Sequence, residues 1–157
     1  MALPRRIALL AVALAAASCA PKLVPGTSFP DTPDTRAVLG VIQSYALALQ
    51  QKDAPGILRL VSPRYFDDGG TADASDDLDY GALAETLPKT LGQVETVRLE
   101  LVVRDLAIEG DTASAEIFSD SWYRVSTPGG PAPRRDSDIH RMRLQRVNGE
   151  WKIVSGV

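Results

Sequence analysis

Between Val38 and Leu49 the apolar residues fall at Val38, Val41, Ile42, Tyr45, Ala46 and Leu49, three and four positions apart, which predicts a helix with one buried face. Thr32 supplies a cap and Pro33 suits the first helical position, so the helix is expected to open there. "DAPGILRLV" predicts a shorter helix, capped by Asp53 and stopped by Ser62 and Pro63. A third helix over "DDLDYGALAETL" puts Tyr80, Leu83, Ala84 and Leu87 on one side, and Pro88 is expected to end or kink it at Leu87. The period then changes to two. Strand patterns run over 94–109, 112–125, 138–147 and 150–156, joined by "GD", by the longer "STPGGPAPRRDS" and by "NG". Helices first and antiparallel strands afterwards predict an α+β domain, with N-terminal helices packed on an antiparallel sheet.

Alternation assigns the strand faces. Val97, Leu99, Leu101 and Val103 share one side of the first long strand, opposite Arg98, Glu100, Val102 and Arg104. In the second, Ala113, Ala115, Ile117, Ser119, Ser121 and Tyr123 oppose Glu116, Phe118, Asp120, Trp122 and Arg124. In the third, His140, Met142 and Leu144 oppose Arg141, Arg143 and Gln145, while Trp151 and Ile153 read as core. The core side is therefore apolar in its middle and polar at one end. The outer side mixes charges with two large aromatics.

Length and composition narrow this further: 157 residues, 45% hydrophobic and 24% charged, suit a single packed core. A formal charge of −3 with no basic stripe argues against nucleic-acid binding. The N-terminus has its own grammar, with Arg5 and Arg6 before an apolar run from Ile7 to Ala17 and small residues leading to Cys19. That run is too short to span a bilayer as a mature helix. "AAASC" resembles a bacterial lipobox, with Ala16 where leucine is usual. The resemblance implies that residues 1–18 are a signal peptide and that Cys19, the chain's one cysteine, carries acyl (palmitate-type) chains. With Ala20 next, it implies a lipid-anchored envelope protein at the outer membrane of a diderm bacterium. Residues 19–33 contain Pro21, Pro25, Pro30 and Pro33 and read as an extended tether of about 40 Å. The folded domain is expected over 34–157.

Two stretches carry a further resemblance: "VIQSYALALQQKDAPGILRLVSPRYFDD" and the closing "HRMRLQRVNGEWKIVSGV". With an apolar helix, a "KD" turn, a short helix and a final "WKI" hairpin, the chain resembles the nuclear transport factor 2-like superfamily. That family implies a cone of helices against a curved sheet, with a pocket at the polar end of the core side. Tyr45, Ser119, Ser121, Tyr123 and His140 are the pocket candidates. Ketosteroid-isomerase-like relatives use a carboxylate as base, and the strand faces as assigned supply none. The expected function is a non-catalytic binding module for a protein partner or a small apolar ligand. The alternatives are a cyclase- or isomerase-type enzyme using His140 and Tyr123, and a structural envelope component. On the outer face, Phe118 and Trp122 with Arg98, Arg141 and Arg143 form a candidate surface for a partner or for a second copy in a homodimer.

One acidic run remains. "YFDDGGTADASDDLDYG" holds aspartates 67, 68, 73, 76, 77 and 79 and no basic residue. Asp67, Asp68, Asp73, Asp76 and Asp77 could offer oxygens to Ca²⁺, although their spacing is not that of an EF-hand. Otherwise Asp67–Gly70 makes a turn, while Asp76, Asp77 and Asp79 precede a helix N-terminus that favours negative charge.

Overall fold

The computed structural model describes residues 21–157; Cys19 and the expected signal peptide lie outside the described residues. Helix α1 (Pro33–Gln50) opens where expected, the Thr35 N–H donating to the Thr32 hydroxyl at 3.0 Å. Its buried face is Val38, Ile42, Tyr45 and Ala48. In α2 (Ala54–Leu60) the Asp53 carboxylate accepts from the Gly56 N–H at 2.9 Å. Two short strands follow, β1 (Phe66–Asp67) paired antiparallel with β2 (Leu78–Asp79), and then α3 (Tyr80–Gly92).

Helix α3 departs from expectation at both ends. Asp76 and Asp77 stand outside it, because Leu78 and Asp79 pair with β1, and Asp79 alone caps the helix through the Ala82 N–H at 2.8 Å. The helix also continues through Pro88. An interior proline costs about 3 kcal/mol. Continuing to Gly92 buries Leu91 in the core, which returns roughly 1.5–3 kcal/mol. The two nearly cancel, so tertiary packing decides.

The sheet is an antiparallel meander, β3 (Val94–Glu109), β4 (Thr112–Val125), β5 (Ala132–Val147) and β6 (Glu150–Ser155), in the order β3-β4-β5-β6. Strand β5 opens at Ala132 rather than at Asp138, so part of the expected loop is strand. Its first half is polar, yet it pairs with β4 as far as Val125↔Ala132. A break in register between Val103 and Asp105 turns β3 over, so that Leu106 and Ile108 join Leu101 and Val103 on the core side. Asn148 (φ 52°) and Gly149 (φ 83°) make the tight β5–β6 turn that "NG" predicted. The core lies between α1, α2 and the concave sheet face, around Ile42, Ile57, Ile117, Met142, Leu144 and Ile153. Beyond Ser155, which pairs with Arg143, β6 no longer covers β5, and Ala132–Met142 forms a sheet edge.

The expected extended tether is folded in its described part. Leu23 bridges to Pro30 antiparallel, the Val24 N–H donates to the Phe29 carbonyl at 2.9 Å and the Asp31 N–H to the Lys22 carbonyl at 2.6 Å. Phe29 is buried, and the Asp31 carboxylate pairs with Lys22 and Arg36. Burying one large aromatic stabilises by more than closing so short a loop costs, which overrides the proline content. This hairpin is part of the domain.

Candidate functional site

Strand β5 carries Asp136, Asp138, His140, Met142 and Leu144 at alternate positions, so all five share a face. Met142 and Leu144 are buried under the helices. The three polar members continue that face outward into a cavity of about 620 Å³ at the open end of the cone. His140 stands across from Ile117 in β4, with its Nδ1 3.8 Å from an Asp138 carboxylate oxygen. Tyr45, from the second half of α1, and Ser119, from β4, line the same space.

The rim is built by the chain's last residues and the β1 loop. The Asp67 carboxylate accepts from the Gly156 N–H at 2.5 Å and from the Tyr65 hydroxyl at 3.3 Å, while its other oxygen accepts from the Gly69 N–H at 3.1 Å. The Val157 N–H in turn donates to the Tyr65 hydroxyl at 3.2 Å. Gly156 has φ 87° and crosses β5 so closely that a Cβ there would collide with the Arg141 carbonyl. Only glycine fits this crossing. Burial pushes the Tyr45 phenol up to about 12 and is also the main cause of the Tyr65 phenol rising to about 12. Both therefore stay neutral hydrogen-bonding groups across the physiological range.

Chemically, the cavity offers a phenol, a hydroxyl, an imidazole next to a carboxylate, and the flanking Arg141 and Arg143. That set suits a polar ligand that both donates and accepts hydrogen bonds. The expectation that no acid shares the pocket face is corrected, because Asp136 and Asp138 line the cavity. Asp136 and Asp138 have the parity of His140, a signal present in the sequence but hidden for Asp136 by starting the strand too late.

The remaining pocket candidates separate. The Ser121 hydroxyl donates to the Asp136 carbonyl at 3.2 Å and is tied to the sheet backbone. Tyr123 pairs with Arg134, six strand positions from the Ile117–His140 pair, which is about 20 Å along the strand. An enzyme using Tyr123 with His140 is therefore ruled out by distance.

Among the described residues no group of three or more His, Cys, Asp or Glu side chains is placed to hold a metal ion, those of the acidic run included. Local bonds occupy its carboxylates. Asp68 accepts from the Gly70 N–H at 3.0 Å, Asp73 from the Ser75 N–H at 3.0 Å, and Asp76 from the Thr71 hydroxyl at 2.9 Å. Asp77 lies exposed beside them. These are turn-making bonds of the kind aspartate favours.

On the outer sheet face, Arg98 pairs with Trp122 across β3 and β4, and Val102, Phe118 and Ile139 stand side by side across three strands. Val102 is 46% and Ile139 51% exposed. Trp122 is covered on one side by Arg135, whose guanidinium lies 4.7 Å above its ring. Asp120 is held by Arg135 of the neighbouring β5 at 2.7 and 3.0 Å and by the Ser137 hydroxyl at 2.7 Å. The Arg135 hydrogen bonds keep its carboxyl below the usual range. Arg141 and Arg143 stand across from Glu116 and Ser114 on this face but also flank the mouth, where β6 ends.

Comparison with known proteins gives the fold a family context. No protein-family model and no curated protein matches the chain. Solved structures do. A candidate dehydratase of the nuclear transport factor 2-like family from Streptomyces avermitilis superposes with a TM-score of 0.65 at 15% identity, covering 79% of this chain and 95% of that one. A candidate scytalone dehydratase from Novosphingobium aromaticivorans gives 0.63 at 12% identity, covering 78% and 80%. The Kfla4162 protein from Kribbella flavida gives 0.66 at 13%, covering 78% and 86%. The chain has the nuclear transport factor 2-like fold.

Proposed function

We propose that this chain is an envelope lipoprotein, attached through Cys19, whose domain binds a small polar molecule in the cone mouth. The observation that carries the binding reading is the open cavity of about 620 Å³ with His140, Asp138, Ser119 and Tyr45 directed to one space. Its size is that of a small-molecule site, and its walls are rigid because they stand on α1, β4 and β5. Support for attachment is the sequence grammar around Cys19. Among the described residues no helix is long and apolar enough to cross a membrane.

A second reading adds chemistry at the same place. His140 beside Asp138 could move a proton to or from a bound molecule, as in a lyase or isomerase, and two fold neighbours are candidate dehydratases. One set of measurements addresses both. A thermal-shift screen of polar metabolites, run on the protein and on Ser119→Trp, is expected to give hits that stabilise the former and lose their effect on the latter. If every hit persists in the variant, the mouth is not the binding site. Hits incubated with the protein and followed by NMR then separate binding from turnover. Conversion lost in His140→Gln supports the enzyme, and unchanged ligand supports the binding module.

A further inference from the structure

The hairpin over residues 22–31 changes how a lipid anchor would hold this domain. Its ends are closed by the bonds between Lys22 and Asp31, and its return arm is fixed by buried Phe29. Between Cys19 and Lys22 stand only Ala20 and Pro21, and three peptide units span at most about 11 Å. We propose that the hairpin seats the domain directly on the bilayer, with the β3–β4 turn towards the lipid and the cone mouth towards the water. This rests on the reading of Cys19 as the attachment point.

The two ends of the molecule are fixed by its elements. Phe29, Pro30 and Thr32 line a groove together with Leu106, Ile108 and Gly110, so the hairpin sits beside the turn that joins β3 to β4. From Thr32 to Tyr45 the chain advances about 20 Å along α1. From Thr112 to Ser119 it advances about 23 Å along β4. Tyr45 and Ser119 line the mouth, which therefore lies at the end opposite the hairpin. A ligand reaches it from the aqueous side without crossing the lipid surface.

The charges near the hairpin are matched. Lys22 and Arg36 pair with Asp31, and Arg146 pairs with Asp34 and Asp111. No surplus of positive charge remains there to draw the domain to anionic headgroups. The short covalent leash sets the orientation, and Leu23, 45% exposed, is the apolar side chain beside it.

The test uses the full chain, processed in its host and reconstituted into phosphatidylethanolamine–phosphatidylglycerol vesicles. Cys19 is the chain's one cysteine, so Leu23→Cys and Asp68→Cys can each carry a fluorophore, with a headgroup-labelled lipid as quencher. Quenching is expected to be several-fold stronger at position 23 than at position 68. A Gly/Ser insert of about twelve residues after Ala20, adding a flexible span of roughly 19 Å, is expected to abolish the difference. Equal quenching at both positions in protein that floats with the vesicles overturns the seating and leaves lipidation intact. Protein that does not float overturns both.

Discussion

Tyr45 and Tyr65 show what single residues contribute at the mouth. Their phenols titrate near 12 in the folded protein, against about 10 for an exposed tyrosine. Below pH 10 both folded and unfolded chains keep the protons, and the native state has its full stability. Between about pH 10 and 12 the unfolded chain releases protons that the native state still holds. Stability must therefore fall as pH rises through that window. For Tyr45 the loss is on the order of 2–3 kcal/mol. Tyr45→Phe removes the titrating group, so its melting temperature should decline less steeply over this window than that of the parent. Parallel declines would mean that Tyr45 is not buried as described.

At the scale of elements, the N-terminal hairpin and β5 differ most from what the pattern of residues suggested. Phe29→Ala is expected to cost about 3 kcal/mol and to lower the melting temperature by roughly 10 °C. A melt within a degree of the parent would show that the hairpin is not docked. The helices and the four long strands were legible because their apolar residues keep strict periods, which report burial on one face. The hairpin was not legible, since Pro25, Gly26 and Pro30 look like a spacer unless Phe29 is known to find a hole between α1 and β3. The first half of β5 was hidden for a related reason. Its stability comes from pairing with β4 and from Arg135 and Ser137 gripping Asp120, neither of which leaves a hydrophobic period. His140, Ser119 and Tyr45 were found from face and parity. Of the carboxylates beside His140, Asp138 already had its parity within the expected strand and was overlooked, whereas Asp136 followed only once the strand was seen to begin at Ala132.

For the whole molecule, the outer sheet face bears on association, since no described helix packs over its exposed Val102 and Ile139. Val102, Phe118 and Ile139 form an apolar row bordered by Glu100, Asp120, Glu116 and Arg141. An apolar row of this kind with a charged rim is a common feature of association surfaces. The domain is expected to self-associate with concentration in sedimentation runs, and Val102→Ser with Ile139→Ser to hold it monomeric. A parent that sediments as a monomer at all concentrations would remove that role from the face. The uncovered edge of β5 has the opposite character. Pro133, Arg134, Arg135, Asp136, Asp138 and Arg141 crowd its length, and a strand arriving from another chain would meet a proline without an N–H and a run of fixed charges. Although the first half of this long strand has one edge without a partner, that edge is thereby guarded against strand addition and the fibril growth it would begin.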